Sequence, residues 1–237
     1  MLSCCFYLQI PPVLFTPGVN HTTVAEHTFG LMIAIAKHFW PHLESTKSGG
    51  WKRITGSELA GKTIAVLGIG RIGKEVVKRA VAFDMKPIGF DRYQDHQFAQ
   101  HYGMTFMETL DEAVTQADFV SIHMNLDDSN RGIFNKDLLS RMRKGAVIIN
   151  TARGGLVNEE DIAAACKSGH LGGYGTDVVG HEPMTQPHPY DGIDNIIVTP
   201  HVGSRTFESV ERQALRAVMN IVEFLRGGRD FIQANTI

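Results

Sequence analysis

The sequence predicts an α/β fold with a doubly wound parallel sheet, on three observations. The first is the stretch Lys62–Asp91, KTIAVLGIGRIGKEVVKRAVAFDMKPIGFD. It reads as strand, glycine turn, helix, strand and acid. The second is the alternation that follows. Strands expected at Phe119–His123, Ala146–Asn150 and Gly172–Val178 interleave with helices at Leu110–Ala117, Lys136–Met142 and Glu159–Lys167, and Ile196–Thr199 adds a last short strand. Such alternation makes a parallel sheet covered on both faces. The third is the apolar, β-branched run Thr63-Ile64-Ala65-Val66-Leu67, which has the length of a buried strand.

The glycine unit carries chemistry. Gly68, Gly70 and Gly73 form G-x-G-x-x-G, and Ile72, Val76, Val77, Ala80 and Val81 then recur at helical spacing. Gly68 permits the tight turn, Gly70 lets the backbone approach a pyrophosphate, and Gly73 lets the helix pack closely. The helix N-terminus offers free N–H groups and a positive dipole end. Pro87-Ile88-Gly89-Phe90 is the next strand, and Asp91 follows eighteen residues past Gly73. A carboxylate there can accept both ribose hydroxyls of an adenosine. The unit therefore reads as a Rossmann-type dinucleotide site. Asp91 would repel a 2′-phosphate, which favours NAD over NADP, with Arg92 as the opposing charge.

The flanks are plainer. Met1–Thr16 is poorly patterned and leads into a short strand, Val13-Leu14-Phe15, and Pro17-Gly18 is a turn. Asn20–Phe39 reads as one long helix with Val24, Phe29, Leu31, Met32, Ile35 and Ala36 on its apolar side. Thr22 or Thr23 is its expected cap, with Glu26 completing a capping box from Thr23. His21, His27, His38 and His42 are expected at the surface or an interface. A polar helix near His42–Lys47 follows Pro41, and Thr206–Leu225 is a closing helix.

With 237 residues, 43% apolar and 20% charged, the chain can bury a full core as a soluble globular protein. A net charge of −2 without long single-sign runs argues against a nucleic-acid partner. Cys4, Cys5 and Cys166 make no disulfide framework and suit a reducing cytoplasm. Leu2–Leu14 is too short and too broken by Pro11-Pro12 for a membrane span or a signal peptide. Metal binding is not expected: His181, His188 and Asp191 cluster, but the residue four past His181 is Thr185, so no H-E-x-x-H exists.

Three polar segments fall at expected strand ends, where open α/β sheets bind ligands. They are Asn150-Thr151-Ala152-Arg153-Gly154-Gly155, Thr176–Pro183 and Thr199-Pro200-His201-Val202-Gly203-Ser204. Singly, Arg153 would be a surface arginine, Glu182 a loop acid and His201 a structural histidine; their joint placement argues for a site. PGVNHTTVAEHTFGL, GKTIAVLGIGRIGKEV, INTARGGLVNEEDI and VTPHVG occur here in an order and spacing that resemble the D-isomer-specific 2-hydroxyacid dehydrogenases. The likeness runs from about Pro17 to the C-terminus and is nearest to the phosphoglycerate dehydrogenase and hydroxypyruvate reductase side of that family.

The resemblance implies an NAD-dependent oxidoreductase that interconverts a 2-oxo acid and a D-2-hydroxy acid. Arg153 matches the arginine that anchors substrate, and its planar fork suits a carboxylate. His201 matches the acid–base histidine and Glu182 its carboxylate partner. Arg71 and Ile72 match the pyrophosphate turn, Thr151 and Ala152 the nicotinamide side, and Asp177 the carboxamide contact. A homodimer through Val19–Trp51 is also implied. The implied domains are 1–18, a remnant of a substrate-binding domain, 19–203, the NAD-binding domain with its linking helix, and 204–237, a helix returning to the substrate domain. The sequence departs from the family at Asn125, where proline is usual, and in the half-domain expected ahead of PGVN, whose carboxylate-binding loop has no match in Met1–Pro12. Weak turnover is therefore expected, and a dinucleotide-binding paralogue or corepressor-like regulator without turnover remains the alternative.

Overall fold

Seven short apolar runs between Thr63 and Val198 line up as one parallel sheet in the computed structural model, which describes residues 12–234. In chain order the elements are β1 (Leu14–Phe15), α1 (His21–Ala36), α2 (Phe39–Lys47), β2 (Thr63–Leu67), α3 (Arg71–Ala82), β3 (Lys86–Phe90), α4 (His96–Tyr102) and β4 (Thr105–Phe106). Then come α5 (Leu110–Gln116), β5 (Phe119–Ile122), α6 (Lys136–Arg141), β6 (Ala146–Asn150), α7 (Glu159–Lys167), β7 (Leu171–Thr176), β8 (Ile196–Val198), α8 (Phe207–Leu225) and β9 (Ile232–Gln233). The chain forms two compact units: His21–Gly203, and the segments before and after it.

In the larger unit the strand order is β4-β3-β2-β5-β6-β7-β8. The chain leaves β2 toward one edge and returns to β5 on its other side, so the order reverses there. Side chains of alternate residues serve opposite faces. Ala65, Leu67, Val120, Ile122 and Ile148 pack with residues of α5, α6 and α7. Ile64, Val66, Phe119, Val147 and Ile149 pack with α1 and α3. Cys166, on α7, is buried, and burial pushes its thiol up to about 12; Cys4 and Cys5 lie outside the described residues. In the smaller unit β1 pairs antiparallel with β9, the Asn220 amide of α8 donates to Phe15 O at 3.0 Å, and Arg212 Nε donates to Val19 O at 3.1 Å. Among the described residues no helix is long and apolar enough to cross a membrane.

Some local expectations are corrected. The helix expected over Asn20–Phe39 stops at Ala36, where His38 turns left-handed at φ 51°, and the helix expected near His42–Lys47 starts earlier, at Phe39. Pro41 sits inside the first turn of α2, where a missing N–H has no helical partner to lose. Thr22 and Thr23 lie within α1 and do not cap it, and Glu26 pairs with Arg79 instead. α4 and β4 are additions; Asp95 caps α4 by accepting from Phe98 N at 3.0 Å. β7 stops at Thr176, short of Val178, because the Thr176 hydroxyl donates to Val178 O at 2.6 Å and turns the chain out of the sheet.

Two glycines of the turn make opposite demands. A methyl carbon on Gly73 would sit 2.0 Å from the Gly68 carbonyl oxygen, whereas one on Gly70 has no atom within 4 Å. Gly73→Ala is expected to destabilise by about 1–3 kcal/mol, as overpacking does, and Gly70→Ala by less than about 0.5 kcal/mol. Urea unfolding of both variants beside the wild type checks the contrast.

Candidate active site

The glycine turn crosses the carboxyl end of β2. Gly68 adopts φ +95° and lies so close to β5's end that a side chain would meet His123 O at 2.6 Å. Gly70 precedes α3 with its outer face open. The first amides of α3, from Arg71, Ile72 and Gly73, have no acceptor within the helix. Open backbone beside free N–H groups fits a pyrophosphate. Asp91 closes the turn from β3: Oδ2 accepts from Ile69 N at 2.5 Å and Oδ1 from Tyr93 N at 2.9 Å. It therefore ties the turn together, a task its spacing does not announce. His123 bonds Ser121 Oγ through Nε2 at 2.7 Å. Burial pushes its pKa down to about 3, so the ring is neutral at pH 7.

β6 delivers Arg153. Its last residue, Asn150, is fully buried, donates to Arg153 O at 3.0 Å and accepts from Ala152 N at 3.0 Å, which bends the chain over the strand end. Ala152 is buried; Thr151 Oγ1 meets Thr28 Oγ1 of α1 at 3.0 Å. Arg153 is exposed, with Nη1 donating to Ala152 O at 2.6 Å. A methyl carbon on Gly154 would lie 2.0 Å from the Val179 carbonyl carbon. The Arg153 turn thus packs directly on the segment that leads to Glu182.

The segments after β7 and β8 bring Glu182 and His201 together. His201 N donates to Asp177 O at 2.9 Å, and His201 Nδ1 lies 2.6 Å from Glu182 Oε2. Asp177 holds the loop between them. Its carboxylate, 4% exposed, accepts from the Thr199 hydroxyl at 2.6 Å, Val202 N at 2.9 Å and Gly203 N at 2.7 Å, with His27 Nε2 at 3.4 Å. Burial alone would raise its pKa; the His27, Thr199, Val202 and Gly203 donors outweigh that and hold it at about 2. Oδ1 thus meets both Thr199 and Val202, while Oδ2 accepts from Gly203 N alone.

His27 is the residue that sequence reasoning misses. Expected at the surface, it meets Thr199 Oγ1 at 2.8 Å. The single Thr199 hydroxyl proton goes to Asp177, so His27 Nε2–H is the donor in that bond. The signal lay in spacing: His27 stands four residues from Thr23 and from Leu31, both buried. His42 is likewise engaged, accepting from Ile54 N at 3.0 Å.

Asp177 makes stability depend on pH with a definite sign. Its folded pKa lies below the ordinary 3.8, so its contribution is complete above about pH 4 and is lost as pH falls through about 2. That contribution is about 2 kcal/mol. In urea unfolding, the stability gap between wild type and Asp177→Asn is expected to shrink by that amount between pH 4 and pH 2. A pH-independent gap would mean that the carboxylate's charge contributes nothing.

Comparison with known proteins matches this architecture. Residues 29–203 match the family model described as D-isomer specific 2-hydroxyacid dehydrogenase, NAD binding domain. The chain is 38% identical to D-3-phosphoglycerate dehydrogenase of Methanocaldococcus jannaschii over 217 residues, which are 91% of this chain and 41% of that protein. It is 38% identical to hydroxypyruvate reductase of Thermotoga maritima, covering 90% of this chain and 70% of that one. D-lactate dehydrogenase from Aquifex aeolicus, solved with NAD and lactic acid, superposes with a TM-score of 0.83 at 27% identity, over 91% of this chain and 70% of that chain. The chain belongs to the D-isomer specific 2-hydroxyacid dehydrogenase family and carries its NAD binding domain.

Proposed function

We propose that the chain holds NAD(H) across the glycine turn and serves the interconversion of a small 2-oxo acid and a D-2-hydroxy acid. The observation that carries this is the 2.6 Å contact between His201 Nδ1 and Glu182 Oε2. With Nδ1–H given to the carboxylate, Nε2 is the nitrogen left to exchange a proton with substrate. Arg153, exposed at the neighbouring strand end, pairs with the substrate carboxylate. Bound nicotinamide supplies or takes the hydride. In reduction His201 would give its Nε2 proton to the carbonyl oxygen, which becomes the hydroxyl, and in oxidation it would take that proton back.

Cofactor contacts follow the same geometry. Gly68, Gly70, Arg71, Ile72 and Gly73 face the pyrophosphate. Each Asp91 oxygen keeps a lone pair for a ribose hydroxyl after its backbone bond, and its charge disfavours a 2′-phosphate. Thr151 and Ala152 lie along the nicotinamide. Asp177 holds the loop through Thr199, Val202 and Gly203, and its Oδ2, with Gly203 N as its one donor, keeps a lone pair for the carboxamide.

The partner proposed is a second copy of the chain. Within Val19–Trp51, Phe29 and Met32 are buried within the chain. Phe39, Trp40 and Leu43 of α2 remain 47%, 53% and 51% exposed, and Trp51 83%. Apolar surface on that scale calls for cover.

In an assay of NADH oxidation against a panel of 2-oxo acids that includes glyoxylate and hydroxypyruvate, His201→Ala and Arg153→Ala are each expected to lower the rate by about a hundredfold or more. NADH binding should survive in both. Wild-type activity in His201→Ala would remove it as the acid. NADH binding with no turnover on any acid of the panel would favour the regulator reading. Light scattering at micromolar concentration is expected to give a dimer, and Trp40→Glu with Leu43→Glu a monomer; a monomeric wild type would overturn the pairing.

A further inference from the structure

We propose that Asp127 helps set the cofactor preference by latching Arg92 away from the position of a 2′-phosphate. The inference rests on the reading that the glycine turn holds a dinucleotide. Arg92 directly follows Asp91 at the end of β3, and an arginine beside the ribose acid is what accommodates a 2′-phosphate in dinucleotide sites. Its guanidinium is always charged and its fork suits phosphate oxygens. The two neighbours therefore pull in opposite directions.

The structure shows what occupies Arg92. Its Nη2 donates to Ser129 Oγ at 3.0 Å, and its Nη1 lies 3.4 Å from Asp127 Oδ2. Asp127 and Ser129 sit in the loop after β5, at the same carboxyl-end rim of the sheet as Asp91. That loop is internally tied. Asp127 Oδ1 accepts from Ser129 N at 2.8 Å and from the Ser129 hydroxyl at 2.5 Å. Asp127 N donates to Asn130 Oδ1 at 2.9 Å, and buried Asn130 donates to Asn125 O at 2.7 Å. One carboxylate oxygen is thus used up in the turn while the other faces Arg92. The Ser129 hydroxyl gives its single proton to Asp127 and so presents a lone pair to Arg92.

Two cations beside the glycine turn are placed otherwise. Lys74 is paired with Asp95 and stacks over the Phe98 ring at 5.1 Å. Arg71 begins α3, on the pyrophosphate side of the turn. A 2′-phosphate must therefore compete with Asp127 for Arg92 as well as face Asp91. The Arg92 and Asp127 side chains are 68% and 45% exposed, so water screens the pair and the latch has a bounded effect, about two- to fivefold in relative affinity.

The test is fluorescence titration of NADH and NADPH into wild type, Asp127→Asn, Arg92→Ala and the double variant. Asn at 127 keeps the turn acceptor for Ser129 and removes the charge. Asp127→Asn is expected to tighten NADPH relative to NADH about two- to fivefold, with NADH affinity unchanged. The gain should be absent when Arg92→Ala is added, which separates a released arginine from the mere loss of a negative charge. An unchanged ratio in Asp127→Asn, the same gain in the double variant, or loss of NADH affinity in Asp127→Asn would each overturn the latch. A wild type that binds neither cofactor overturns the dinucleotide reading too, whereas one that binds NADH with an unmoved ratio overturns the latch alone.

Discussion

The buried Asp177 carboxylate is the constraint on which the site depends. A buried charge is tolerated only when its lone pairs are met by donors. Here the donors are the Thr199 hydroxyl and the Val202 and Gly203 amides, with His27 behind them. Those groups belong to the segment that carries His201, so satisfying the charge and shaping the loop are one event. His201 itself takes φ 54°, a left-handed conformation costly for a non-glycine residue. The flanking bonds to Asp177 over-determine that turn and bring Nδ1 onto Glu182. The contact between His201 and Glu182 is thus a consequence of an ion held one residue beyond β7.

Backbone proximity does the rest. Gly68 rests against the chain leaving β5, Gly73 against Gly68, and Gly154 against Val179. At each of these points a side chain would collide with main-chain atoms, which cannot step aside. The glycines draw the ends of β2, β5, β6 and β7 into contact and leave Gly70 as the open face among them. Packing on the two sides of the sheet supplies the rigidity behind this rim.

α1 links core and site. Its apolar stripe, Leu31, Met32, Ile35 and Ala36, packs in the core of the sheet, while His27 and Thr28 near its start reach Thr199 and Thr151. A helix that a hydrophobicity pattern presents as packing alone thereby also fixes two segments of the site. Such polar contacts inside an apolar element are specific because an unmet partner there is expensive.

Sequence alone determined the parallel α/β scaffold, the glycine turn with Asp91 at its end, and the three segments bearing Arg153, Glu182 and His201. These are legible because strand runs, helical spacing and G-x-G-x-x-G are local signals set by backbone geometry. Tertiary structure decided what depends on residues distant in the chain. It put His27 beside Thr199, though 172 residues separate them, and set the Asp177 carboxylate against Thr199, Val202 and Gly203. It tied Asp91 to Ile69 and drew Arg92 toward Asp127. No periodicity encodes those pairings, because each follows from how strands β2 to β8 lie side by side and from the need of every buried polar atom for a partner.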